Sequence, residues 1–224
     1  GKTVQTAGKD MVKFQSVMWQ GMLMSAGFPT TDTIIYHGFI TGEGGIKMSK
    51  SIGNVINPND IVKEYGTDAL RYFILREVSS FEDSPFTMER FRDAYNANLA
   101  NGLGNLVSRI MKMATTYLEI WPKIPQSGSP KEFYNFLDSF EINKAMNFIW
   151  EEISTLDQKI QQKKPFTVIK TDPEKARECI NELVLRLYSV ARMLKSVLPE
   201  TSQKIKELIR EKKMPEQPLF PRKE

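Results

Sequence analysis

The chain has 224 residues, 41% of them hydrophobic and 26% charged, enough to bury a core and fold as one or two domains. No apolar run approaches the roughly 20 residues that cross a bilayer, and the polar opening Gly1–Asp10 holds no signal-peptide core, so the expectation is a cytoplasmic protein without a membrane partner. A single cysteine, Cys179, and a single histidine, His37, exclude an internal disulfide and the usual zinc constellations; both read as structural residues, and no metal site is expected. The net charge of +4 permits a polyanionic partner without requiring one.

In chain order, Met11, Phe14, Val17, Met18, Met22 and Leu23 recur at helical spacing, and Gly27-Phe28-Pro29 supplies a C-cap glycine and a breaker. The β-branched and aromatic run Thr33–Ile40 reads as a buried strand ending in the turn Gly42-Glu43-Gly44-Gly45. Helix followed by strand is the pattern of the last unit of an open α/β sheet. After a Lys/Ser loop, Asn57-Pro58 caps a short helix to Tyr65, and Thr67-Asp68 starts a second one to about Val78.

The polar stretch Ser79–Phe86 is the expected boundary, dividing residues 1–83 from a helical region at 84–224. Long helices are predicted at Thr87–Leu118, Lys131–Gln162, Asp172–Val197 and Pro199–Lys212, with a proline-rich loop over Trp121–Pro130 and an unstructured Lys/Glu-rich tail after Lys212. Four helices on short connections suggest a bundle, whose aromatic residues, Phe148 and Trp150 among them, read as core.

The segment with chemistry in it is Lys47-Met48-Ser49-Lys50-Ser51, two ammonium groups and two hydroxyls between a glycine turn and Gly53-Asn54. Such a loop can close on a phosphate chain and stabilise the charge that grows on a leaving pyrophosphate. A surface basic loop is the plain alternative.

With its continuation Ile52-Gly53-Asn54-Val55, Asn57-Pro58 and Tyr65-Gly66-Thr67-Asp68-Ala69-Leu70-Arg71, the loop resembles the class I aminoacyl-tRNA synthetases of the leucine, isoleucine, valine, methionine and cysteine group. Arg71–Glu77, Tyr95–Arg109 and Gly8-Lys9-Asp10 with Phe14 and Trp19 make the methionyl-tRNA synthetase family the best likeness, from about Val4 to Ile205. The resemblance implies a mainly α chain: the C-terminal end of a Rossmann-type α/β catalytic domain followed by an α-helical bundle that binds the anticodon. It implies ATP, with Mg2+, and methionine as substrates and tRNA(Met) as partner.

Carried over by that resemblance, Lys50 contacts the pyrophosphate side of the transition state with Lys47 as a supporting charge, and Met48 and Ser49 belong to the ATP-binding loop. Gly8 and Asp10 approach the ATP ribose. Met11 and Gln15 fall at the methionine pocket, Gln15 standing where the family has a histidine. Asn105 and Arg109, four apart and so on one helix face, and Phe166, where the family has a tryptophan, fall at the anticodon site. The His-Ile-Gly-His-type signature of the first nucleotide-binding half does not occur in the sequence. The expectation is a part of a methionine–tRNA ligase that is inactive without that N-terminal half. The alternatives are a stand-alone tRNA-binding module and a piece of a synthetase for another aliphatic amino acid.

Overall fold

The structure is a computed structural model describing residues 3–49, 51, 53–125, 128 and 130–224. It is mostly helical with two small parallel sheets, and the chain packs as two compact units, residues 1–56 with 78–87 and residues 57–77 with 88–224. The helices of 57–77, assigned by sequence to the first region, pack with the second unit.

In the first unit, strand β1 (Val4–Gly8) runs parallel to β2 (Thr33–His37), with Val4 opposite Thr33 and Gly8 opposite His37. Their carboxyl ends therefore finish side by side. The connection is helical: tight turns over Lys9–Met11, wide π-type turns over Lys13–Met18, then α1 (Trp19–Ser25). It stops where the Gly27 and Phe28 amides fold back onto the carbonyls of Met24 and Leu23, with Gly27 left-handed at φ 72°.

Two expectations are corrected here. The polar opening holds a strand, and the run Thr33–Ile40 is not one buried strand: β2 residues are half-buried or exposed, and pairing breaks at Gly38-Phe39. Beyond the break, β3 (Ile40–Thr41) pairs in parallel with β4 (Ser84–Pro85), inside the stretch read as a polar boundary. Gly38 is the reason. A Cβ there would lie 2.2 Å from the Glu82 carbonyl carbon, so the 82–83 backbone crosses where only glycine leaves room.

The second unit begins with α2 (Pro58–Tyr65), capped by Asn57 Oδ1 accepting from the Asn59 N–H at 3.1 Å, and α3 (Thr67–Tyr72), continued by π-type turns to Glu77. The predicted helix from Thr87 is continuous but not uniform: α4 (Met88–Ala94) and α5 (Asn105–Tyr117) flank ten π-wound residues, Tyr95–Gly104. The helix predicted at 131–162 is two, α6 (Lys131–Asp138) and α7 (Ile142–Lys163), broken at Phe140 with φ 60°. A single turn, α8 (Pro165–Val168), precedes α9 (Pro173–Leu194) and α10 (Pro199–Glu211).

Leu103, Leu106, Ile110, Met146, Ile149, Leu187 and Leu194, all at 0–1% exposure, form the core among α5, α7 and α9. The tail is not unstructured. Phe220 is buried edge-on against Tyr95, the Tyr95 hydroxyl donates to the Pro221 carbonyl at 2.9 Å, and the Asn96 amide both donates to Lys223 O and accepts from Lys223 N–H. Burial pushes the Tyr95 pKa up to about 12, which keeps its hydroxyl protonated as that donor.

The corner between α9 and α10 is held from α3. The buried Asp68 carboxylate accepts from the Thr201 N–H at 2.6 Å and the Thr201 hydroxyl at 2.7 Å, and so caps α10, whose own N-cap Leu198 has no side chain for the task. One turn on, Arg71 donates to the carbonyls of Val197 (2.7 Å) and Ser196 (3.3 Å) at the end of α9. Asp68→Ala is expected to lower the unfolding free energy by about 2–4 kcal/mol, because a charge-assisted cap is lost and a buried N–H is orphaned. Urea denaturation measures it, and a loss within the ordinary surface range of about 0.5 kcal/mol contradicts the capping role.

Candidate functional site

The Lys47–Ser51 loop follows a hairpin-like closure in the first unit. Gly42 N–H donates to Ile46 O at 2.7 Å, and Lys47 bridges Thr41 in antiparallel fashion, so the backbone of Lys47 is fixed to β3. Asn54 ties the far side: its Oδ1 accepts from the Ser49 N–H at 2.8 Å and its amide reaches Lys47 O at 3.4 Å. Gly53, left-handed at φ 73°, closes the loop by donating to Ser49 O at 3.2 Å. The hydroxyls of Ser49 and Ser51 lie 3.1 Å apart, and Met48 is half-buried. Lys50, the first-choice catalytic lysine of the sequence reading, lies outside the described residues.

The side chains around Lys47 were not foreseen as a group. Its ammonium stands 5.3 Å from the Phe39 ring centre, and the Lys9 ammonium 4.8 Å from the same ring. Lys9 is also paired with Asp83, Nζ to Oδ1 2.6 Å, and Asp83 accepts from the Phe39 N–H at 2.8 Å. The Lys9 ammonium first, and that N–H second, hold the Asp83 carboxyl below the usual carboxylate range. Phe39 thus carries two cations and gathers the end of β1 beside the Lys47 loop. Lys9 stood in the quoted motif without a role. Its partners Phe39 and Asp83 are 30 and 74 residues away, where no local pattern reaches.

Gly8 ends β1 and precedes Asp10, whose Oδ1 lies 2.7 Å from where a Gly8 Cβ would sit. The carboxylate folds back over the glycine, and both stand at the carboxyl ends of the parallel strands, where ligands bind in open α/β sheets. Met11 is 37% exposed and Gln15 half-buried, on a helical segment whose residues are nowhere buried. Phe14, Val17, Met22 and Met24 are 50–68% exposed on it, a contiguous apolar surface of the size that marks an interface. His37 ends β2 with Nδ1 3.0 Å from Gly38 O, and burial pushes the Cys179 thiol up.

In the second unit, the expected RNA-reading residues meet around one side chain. Asn105 opens α5, directly after the π-wound segment, and Arg109 follows one turn on. α7 ends because Lys164 takes a left-handed conformation at φ 42° and Pro165 cannot continue it; the buried Pro165 leaves Phe166 projecting, 44% exposed. Arg109 lies between two clefts. One, of about 280 Å3, is lined by Arg109, Lys112, Tyr117 and Phe166. The other, of about 370 Å3, is lined by Arg109, Asn105, Asn98, Asn101, Asp157 and Gln161 over a floor that includes Trp150. Asn105 and Phe166 do not line the same cleft; Arg109 joins them. Its Nη1 contacts Asp157 Oδ1 on α7, a partner 48 residues away with no local signature.

A loop of lysines and hydroxyls at the carboxyl ends of parallel strands, beside a separate helical unit with amide-rich and aromatic clefts, defines a class I aminoacyl-tRNA synthetase chain. Residues 1–111 match the family described as tRNA synthetases class I (M). A methionine–tRNA ligase of Fusobacterium nucleatum is 36% identical over 219 residues, covering 91% of this chain and 34% of the relative. One from Caldanaerobacter subterraneus is 33% identical, covering 90% and 34%. The solved Mycobacterium tuberculosis methionyl-tRNA synthetase in complex with methionyl-adenylate superposes with a TM-score of 0.81 at 28% identity, over 92% of this chain and 43% of that one. The chain belongs to the methionyl-tRNA synthetase family, and it spans about a third of the length of the curated relatives it matches.

Gly38→Ala is expected to push the Glu82–Asp83 segment off Phe39, costing about 1–3 kcal/mol by overpacking. The readout is the Lys9–Asp83 tie: the Asp83 carboxyl pKa, followed by NMR, returns toward the usual carboxylate range. A Gly38→Ala chain with that pKa still depressed contradicts the close-approach account.

Proposed function

We propose that this chain supplies the anticodon-reading helices and one side of the ATP site of a methionine–tRNA ligase. The observation that carries the reading is Arg109 standing between two clefts, one edged by the Asn105 amide and the other by the Phe166 ring. Splayed-out single-stranded bases are recognised in that manner, by hydrogen bonds from amide and guanidinium groups to their edges and by stacking on an aromatic face, at about 1–3 kcal/mol per stacked base. The phenyl ring of Phe166 keeps the stacking surface and lacks the indole N–H of a tryptophan.

On the ATP side, the Rossmann-type end comprises β1, β2 and the helical segment between them. Asp10 accepts hydrogen bonds from the ribose hydroxyls, and Gly8 leaves room for the sugar. Lys47, backbone-fixed to β3 and backed by Phe39 and Lys9, presents positive charge to the phosphates, and Met48 and Ser49 shape the loop. Lys50 stabilises the pyrophosphate as it leaves, with Mg2+ on the phosphates, and Met11 and Gln15 border the methionine side chain. Adenylate formation needs a second jaw on the opposite face of ATP. The exposed apolar surface of Met11, Phe14, Val17 and Met22 supports that reading, since it suits burial against the N-terminal half of the catalytic fold. The same surface weighs against a stand-alone tRNA-binding module.

Two outcomes are expected. The chain alone gives no methionine-dependent pyrophosphate exchange, and adding the N-terminal two-thirds of the full-length protein restores it; exchange by the chain alone contradicts the two-jaw reading. A tRNA(Met) anticodon stem-loop binds the chain, and Asn105→Ala, Arg109→Ala and Phe166→Ala each weaken binding about five- to a hundredfold, equivalent to about 1–3 kcal/mol. Unchanged affinity in all three, by fluorescence anisotropy, contradicts it.

A further inference from the structure

We infer that Arg109 and Asp157 together form a base-reading edge selective for an amino-bearing base, cytosine or adenine, with Asp157 as a specificity-determining residue; this rests on the anticodon reading proposed above. The two side chains come from α5 and α7 and meet on the rim of the cleft lined by Asn105 and Gln161. Their contact is Nη1 on Oδ1, which leaves Asp157 Oδ2 and the remaining guanidinium N–H groups for a ligand. Neither is buried: the Arg109 side chain is 28% exposed and that of Asp157 45%, so the pair is open to a ligand at the cleft mouth.

The pair offers, side by side, fixed donors and a fixed acceptor. Cytosine presents the complement on its Watson–Crick edge, with N3 and O2 accepting and the N4 amino group donating; adenine presents N1 accepting and the N6 amino group donating. Arg109 donates to the ring nitrogen and Asp157 accepts from the amino group. Uracil and hypoxanthine reverse both positions. Their carbonyl oxygen meets the carboxylate, and their ring N–H meets the guanidinium, so two polar groups are left unpaired and like charges face each other. A carboxylate cannot turn to suit them, whereas an amide can present its N–H instead. Asp157 therefore supplies the penalty against the keto bases as well as the attraction to the amino bases.

The test uses the full chain and labelled anticodon stem-loops carrying CAU, the same loop with its cytosine replaced by uracil, the same loop with its adenine replaced by hypoxanthine, and a scrambled loop. The wild-type chain is expected to bind CAU about ten- to a hundredfold more tightly than at least one of the two keto replacements, the usual worth of one bidentate base contact. Asp157→Asn, with an unchanged melting temperature, is expected to shrink that ratio to about threefold or less. A carboxylate that only props Arg109 gives a different result: Asp157→Asn weakens all loops alike and keeps the ratio, which overturns the inference and leaves the anticodon reading standing. A wild-type chain that binds CAU and scrambled loops equally overturns both.

Discussion

Two side chains on one short helix hold the corner on which the helical unit is built. Asp68 presents a buried carboxylate to the positive end of α10, while Arg71, one turn later, presents a guanidinium to the carbonyls that end α9. Each charge meets the helix terminus of opposite sign, and each satisfies backbone groups that a sharp helix-to-helix corner otherwise leaves without partners. α9 packs against both α5 and α7, so the corner also sets the frame in which Arg109 of α5 finds Asp157 of α7. The motif Gly66-Thr67-Asp68-Ala69-Leu70-Arg71, part of the family likeness, is thereby a structural clamp.

The Lys47 loop obeys a different constraint. Its backbone is fixed by β3, Asn54 and Gly53, while its charged side chain stays exposed, pre-placed by a phenyl ring it shares with Lys9. A lysine is long and rotamer-rich, so a fixed backbone and a cation–π floor reduce the ordering cost when an anionic ligand arrives. The floor depends on Gly38, because the 82–83 segment can reach Phe39 only across a residue without a side chain.

The helical periodicity of the second unit was legible from sequence because the core side chains that decide it, Leu106, Ile110, Ile149 and Leu187, recur at the helical interval. α9 and α10 begin at the prolines that their caps advertise. The breaks were not legible. Phe140 takes a positive φ that no local signal demands, and the π-wound Tyr95–Gly104 reads as an ordinary helix. The tail was misjudged from its charge, because two residues, Phe220 and Lys223, are enough to dock it on Tyr95 and Asn96. In the first unit the apolar helix face was seen, but its burial was not: periodicity shows which residues seek a partner and cannot show whether these 224 residues provide one. Of the candidate site, sequence likeness named the residues, and the structure added the side chains that hold Lys47 and Arg109, all distant in the chain.

Anticodon reading around Arg109 is the central claim, and NMR chemical-shift mapping of a tRNA(Met) anticodon stem-loop on the isotopically labelled chain tests it most directly. The account predicts that the largest perturbations fall on Asn105, Arg109, Asp157 and Phe166 and on the linings of their two clefts. Perturbations centred elsewhere on the helical unit, or equally large with a scrambled loop, would contradict it.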